Sequence, residues 1–465
     1  MRNISVLFFS LLFILYSASC SNLRKDKEKK KPESRITQVE KGMISKITCL
    51  NSPEISYHLY LPSGTKDSNR YPLILFLDPH ARGALPLTKY KHLADSFGFI
   101  IAGSDCTQNG QEIAVTMDII RKIIQDATKR FPADHRRITL SGFSGGARQA
   151  GVAIQQMPEV GALISCGAGM AFDPAAKVKS FSYLAFIGNT DFNYLEMKQL
   201  DRILSSSDVN FYLLEYPGKH EWPPTEVFTD AFLWLKFDAA KRNIVPHDIQ
   251  TENTYWKKAM MELAELDSKG RYLEEYRLAL KMKKFLNDSF ARDLCKRLDG
   301  YSEYLIQKQA ETILLEKEVA KQQEFMNAFR QFQLHWFLSE ADKLFNLMNS
   351  ANIETAAMYK RLLNWLSLAS NMNASAAFEN DYPQLMREYL LLYQKVDPEN
   401  PDVFFLFALY YGKTNDKDSM YGSLENAVKN GFNDKKRMLA EPVFLPYHDE
   451  ERFKEVISSL KDQGY

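Results

Sequence analysis

Between Ile44 and Phe237 the apolar positions of this chain fall into short blocks that alternate between two periods. Ile44–Cys49 and Ile55–Leu61 flank Asn51-Ser52-Pro53-Glu54, a turn-rich break that predicts an antiparallel hairpin. Leu73–Leu77 is an unbroken run of large apolar residues bounded by turn signals, which fits a strand buried on both faces. Phe99–Gly103, Ile138–Leu140, Gly161–Cys166, Ser182–Ile187 and Asn210–Tyr216 read as further strands. Between them Lys89–Phe97, Ile113–Arg130, Tyr194–Leu204 and Val227–Phe237 carry apolar residues at three- and four-residue steps, the spacing of one helix face. Strands alternating with helices predict an α/β fold: a doubly wound, mostly parallel sheet with its function at the carboxyl edge.

From about Asn253 the strand period disappears. Trp256–Leu266, Tyr272–Phe285, Ala310–Met348, Thr355–Leu368 and Tyr382–Val396 all show helical spacing, broken by Asp267-Ser268-Lys269-Gly270 and Asp397-Pro398-Glu399-Asn400-Pro401. After that last break Phe404, Phe407, Ala408 and Tyr411 line one helix and Leu424 and Ala427 the next. This pair resembles a tetratricopeptide repeat, in which small residues let paired helices approach closely. The resemblance implies an all-α domain over 253–465 that binds a protein or peptide partner, or packs on the first domain and shapes its entrance.

The ends change the picture of where the chain works. Arg2 precedes an apolar run, Val6–Tyr16, too short to span a bilayer, and Ser17, Ala18 and Ser19 lead to Cys20. The segment resembles the lipobox of bacterial lipoproteins, which implies a signal peptide over 1–20, lipidation of Cys20 and an exported, membrane-anchored protein. The alternative is an ordinary signal peptide cut nearby. Residues 21–43, almost wholly charged from Arg24 to Lys31, read as a solvated tether before a domain over 44–240.

The whole chain of 465 residues is 45% hydrophobic and 25% charged, with a net charge of +1, so nothing electrostatic argues for a nucleic-acid partner. Cys49, Cys106, Cys166 and Cys295 are spaced too widely and irregularly for a metal site or a dense disulfide framework; Cys106 and Cys166 both follow expected parallel strands and could share a face, but all four read first as unpaired buried thiols. No Cys-x-x-Cys, phosphate loop or dinucleotide fingerprint occurs, and His220-Glu221 lacks the second histidine of a zinc helix. No cofactor or metal is implied.

The candidate chemistry centres on Gly142-Phe143-Ser144-Gly145-Gly146, set between the strand at Ile138–Leu140 and a small-residue helix pattern that runs through Ile154. This is the G-x-S-x-G pattern of a nucleophile elbow. Its glycines allow a sharp strand-to-helix turn that lifts the serine hydroxyl, while the Gly145 N–H faces a developing oxyanion. Asp191 stands just past the Ser182–Ile187 strand, in Gly188-Asn189-Thr190-Asp191-Phe192-Asn193. His220 stands just past the Asn210–Tyr216 strand, in Pro217-Gly218-Lys219-His220-Glu221-Trp222-Pro223.

That order, Ser, Asp, His on successive strand tips, resembles the α/β-hydrolase superfamily. The His-Glu-Trp-Pro segment is similar to the Gly-His-x-Trp-Pro ending of polyhydroxybutyrate-depolymerase-like and feruloyl-esterase-like enzymes, and the resemblance spans roughly Ile44 to Lys236. It implies Ser144 as nucleophile, His220 as general base and Asp191 as the group orienting the imidazole, acting on a small ester or, alternatively, an acyl peptide. The second oxyanion donor would come from Asp78-Pro79-His80-Ala81-Arg82-Gly83. Pro79 has no N–H, so the His80 amide is the first candidate and Ala81 the next. His80 and Arg82 also read either as holders of a substrate carboxylate or as braces of their own loop on Asp78. The rival to an enzyme is an inactive hydrolase-fold lipoprotein that binds a partner through its helices.

Overall fold

Alternate residues of one central strand set the architecture. Leu73, Leu75 and Leu77 point into one apolar cluster and Ile74 and Phe76 into another, so the strand needs cover on both sides. The computed structural model describes residues 39–171, 181–205, 207 and 209–460; the expectations for the leader, Cys20 and the tether up to residue 38 lie outside them. The strands are β1 (Ile44–Cys49), β2 (Ser52–Tyr60), β3 (Tyr71–Leu77), β4 (Ile100–Ser104), β5 (Ala133–Phe143), β6 (Val160–Cys166), β7 (Ser182–Gly188) and β8 (Asn210–Tyr216). They form one sheet in the order β1-β2-β4-β3-β5-β6-β7-β8. Only β2 runs against its neighbours β1 and β4; every other pair is parallel.

Helices α1 (Ala84–Phe97), α2 (Ile113–Arg130), α3 (Gly145–Gln156), α4 (Tyr194–Ser205) and α5 (Thr225–Lys241) cover the two faces. One face packs α2, α3 and α4, the other α1 and α5. This is the α/β-hydrolase arrangement, and it puts the ends of β5, β7 and β8 on one edge. The first hairpin is tighter than its sequence suggests. A bulge after Thr48 pairs Cys49 with Ser52, so β2 begins inside the expected turn.

The rest of the described chain is helical: α6 (Ile249–Ser268), α7 (Tyr272–Leu286), α8 (Ser289–Asp299), α9 (Ser302–Phe329), α10 (Leu334–Ser350), α11 (Ile353–Glu379), α12 (Pro383–Val396), α13 (Pro401–Lys413), α14 (Lys417–Lys429), α15 (Lys435–Ala440) and α16 (Glu451–Ser459). The apolar run 310–348 is two helices, not one. Arg330 and Gln331 close a tight turn back onto Asn327 and Ala328, and Phe329 and Phe332 stack on each other at 5.6 Å across it. The aromatic spacing therefore continues through the break and hides it. Helix α8, which the periodicity did not single out, is short and capped by the Asp288 side chain on Ala291 N–H.

The helical half does not merely follow the sheet. Phe285 of α7 inserts into the α1/α5 face, and Leu315 of α9 into the opposite one. The described residues from Val39 onward form one compact unit. Edge strand β8 is thus covered, and its Glu215 is tied to Lys198 of α4 and Arg277 of α7, with Glu311 of α9 bonded to both cations.

Candidate active site

Ser144 directly follows β5 with φ 51° and ψ −121°, a strained backbone for a residue with a side chain. Two absences of a Cβ make it feasible. A methyl on Gly142 would overlap the Gly146 carbonyl, and one on Gly146 would overlap the Leu77 carbonyl at the end of β3. The elbow is pinned further by Ser144 N–H donating to Cys166 O at the end of β6. Ser144 lies immediately before α3, whose first amides, Gly145 and Gly146, have no carbonyl four residues back within the helix. Asn109, from the loop after β4, packs its side-chain amide against Gly145 so closely that no Cβ fits there.

The acid loop begins at Gly188, where a Cβ would overlap the Gly218 carbonyl, so the loops after β7 and β8 lie against one another. Thr190 donates to Gly218 O through both its amide and its hydroxyl, and Gly218 N–H donates to Asn189 Oδ1. Asp191 turns back by donating its N–H to Gly188 O and accepting from Asn193 N–H at Oδ1. Its carboxylate is fully buried.

These loops bring the three predicted side chains together. His220 Nε2 lies 3.0 Å from Ser144 Oγ, and Nδ1 lies 3.0 and 2.9 Å from the two Asp191 oxygens. Because a carboxylate only accepts, Nδ1 carries the proton and neutral Nε2 is left to accept from the serine. The imidazole is held between Phe143 and Phe192, at 4.7 and 4.1 Å between ring centres. Gly167 closes over the Asp191–His220 contact, with φ 66° and no space for a side chain.

The loop after β3 is organised differently from the sequence expectation. Asp78, fully buried, accepts the His80 N–H at 3.0 Å, a two-pronged Arg82 bond at 2.8 and 3.1 Å, and the Trp222 indole N–H at 3.0 Å. The His80 amide expected to meet an oxyanion is thus engaged inside its own loop, and Ala81 N–H is turned to Asp78 O. Arg82 braces Asp78. The carboxylate draws this loop to Trp222, two residues past His220, which only the fold could have linked to it.

Sequence reasoning missed Asn109, Gly167 and the aromatic pair Phe143 and Phe192. Phe143 sits inside the elbow motif and Phe192 beside Asp191, so their positions were a faint signal; Asn109 and Gly167 gave none. The four described cysteines are free, but Cys106 is only half-buried, unlike Cys49, Cys166 and Cys295, because it lies on the loop leaving β4.

No protein-family model matches the sequence, and no curated protein matches it. Several solved structures do. A feruloyl esterase module from Clostridium thermocellum complexed with sinapinate is 14% identical, over 41% of this chain and 86% of that one, with a TM-score of 0.36. An S-formylglutathione hydrolase from Staphylococcus aureus is 13% identical over 42% of this chain and 98% of its own, with a TM-score of 0.34. A hyperthermophilic esterase from the archaeon Pyrobaculum calidifontis is 13% identical over 40% of this chain and 80% of its own, with a TM-score of 0.32.

Proposed function

We propose that this chain is a serine hydrolase that cleaves carboxylic esters through an acyl-enzyme. The observation that carries the reading is the continuous hydrogen-bonded series from Ser144 Oγ through His220 to Asp191. As an ester enters, Ser144 Oγ attacks its carbonyl carbon while His220 Nε2 takes the hydroxyl proton. The imidazolium then formed is stabilised by buried Asp191, and it returns the proton to the leaving alkoxide. Water, activated by the same nitrogen, attacks the acyl-serine and releases the acid.

The oxyanion would be received by the Gly145 amide at the start of α3, where the helix end favours negative charge. The His80 amide joins it only by leaving Asp78. The Asn109 side chain is the neighbouring polar group. Cys20, if lipidated, would hold this chemistry at a membrane surface.

The test is a fluorophosphonate probe on the full chain. Covalent labelling that disappears in Ser144→Ala is expected. A folded wild type that takes no label, or a Ser144→Ala variant that still does, removes the proposal.

A further inference from the structure

The acid loop is gripped from outside the sheet. Arg361 Nη1 on α11 donates to Asn189 O at 2.7 Å, and Asn364 Nδ2, one helical turn on, donates to Thr190 O at 2.7 Å. Those carbonyls belong to the two residues directly before Asp191. The Arg361 guanidinium also lies 4.1 Å from the centre of the Tyr194 ring, three residues after Asp191, so it straddles the loop. Its remaining nitrogens bind Glu318 of α9, which is fully buried.

Burial pushes the Glu318 carboxyl above its ordinary range even with Arg361 against it. A pair of this kind adds little net stability, because desolvation offsets most of the attraction, but it fixes one geometry. What it fixes is a guanidinium aimed at the loop. Because Asn189 and Thr190 also bond Gly218, a shift in their backbone moves the histidine loop as well.

We infer that the helical half completes the active site, with Arg361 and Asn364 acting as positioning residues that hold Asp191 and, through Gly218, His220. The inference rests on the proposed hydrolase reading. It makes the second half of the chain part of the machinery rather than an attached binding module. Neither residue touches the reacting atoms; both act through the backbone on either side of the acid.

The experiment uses the full chain and p-nitrophenyl acetate, with kcat, KM and Tm measured for each variant. Asn364→Ala removes one donor. The double variant Arg361→Met/Glu318→Leu replaces the ion pair by apolar groups of similar volume, so that no lone charge is left buried. Each is expected to lower kcat roughly ten- to a hundred-fold with KM unchanged, the scale of a misplacement of about 1 Å. In an Asp191→Asn background the loss should be much smaller than in wild type, since the part that acts through that acid is already gone.

Variants with kcat within two-fold of wild type, or with the same loss in the Asp191→Asn background, would overturn the inference. A second readout separates it from the enzymatic proposal. The downfield proton resonance of His220 Nδ1–H against Asp191 reports the contact without turnover, and it should be present in wild type and lost in Asn364→Ala. If Ser144-dependent turnover is absent, the hydrolase reading fails. The resonance then decides alone: its loss in Asn364→Ala supports the positioning role, and an unchanged signal ends it.

Discussion

Replacing Asp191 by Asn tests the site at its most buried atom. The change is nearly isosteric, and the hydrogen-bond directions around it dictate the outcome. Oδ1 accepts from Asn193 N–H at 2.8 Å, so an amide in that position must keep its oxygen there. Its NH₂ then faces His220 Nδ1, now 2.9 Å from Oδ2. A donor 2.9 Å from Nδ1 opposes a proton there and favours the tautomer with the proton on Nε2, pointing at Ser144 Oγ 3.0 Å away, and the retained oxygen, 3.0 Å from Nδ1, is the single acceptor left to resist it. In that tautomer the base cannot take the serine proton. Loss of the orienting acid with geometry otherwise intact costs about 10⁴ in kcat in a Ser-His-Asp site, or roughly 5.5 kcal/mol of barrier. The assay is steady-state hydrolysis of p-nitrophenyl acetate, with circular dichroism to show that the fold is kept. A kcat within ten-fold of wild type would refute the tautomer argument and point to another route for the proton.

Other expectations follow from packing and charge. Gly146→Ala places a methyl against the backbone carbonyl of Leu77, which cannot swing aside, and should lose about 2–3 kcal/mol in urea unfolding. Gly422→Ala in α14, with open space around it, should be neutral or gain up to about 1 kcal/mol; similar losses at both positions would contradict the elbow packing. Trp222→Phe removes the indole donor to buried Asp78 and should cost about 2 kcal/mol, the scale of a hydrogen bond to a charged group; an unchanged Tm would count against it. Burial raises the Glu215 carboxyl, but Lys198 and Arg277 beside it outweigh this and hold it at about 2, below the ordinary 4.5. Its stabilisation is therefore full above about pH 4.5 and lost as pH falls through about 2, a term on the order of 3 kcal/mol. Glu215→Gln should flatten the acid limb of a Tm-against-pH curve.

What the chain discloses about itself depends on how local the cause is. Ile113–Arg130 and Asn210–Tyr216 are read to the residue, because side-chain period and flanking turn residues suffice to define them. Strand β5 is longer than its apolar core, Ile138–Leu140. Its first half carries Asp134, His135, Arg136 and Arg137, and Arg136 and Arg137 bond the buried Asp134 carboxylate. Polar residues satisfied by their own neighbours extend a strand past the point where hydrophobicity signals it. The break at Arg330–Gln333 is hidden for the converse reason, since stacked aromatics keep the helical count through a turn.

By sequence alone Ser144, Asp191 and His220 are placed past three strands in a telling order, because elbow and strand-end signatures are short and local. The α/β alternation and the change to helix after Asn253 are likewise written in the spacing of apolar residues. Only the tertiary structure decided that the His80 amide is taken by Asp78, that Asn109 and Gly167 wall the site, and that Arg361 and Asn364 reach the acid loop from 172 and 174 residues away. The reason is physical. Period and turn chemistry act over a few residues, whereas a hydrogen bond between loops requires the whole sheet and its helical cover to be in place.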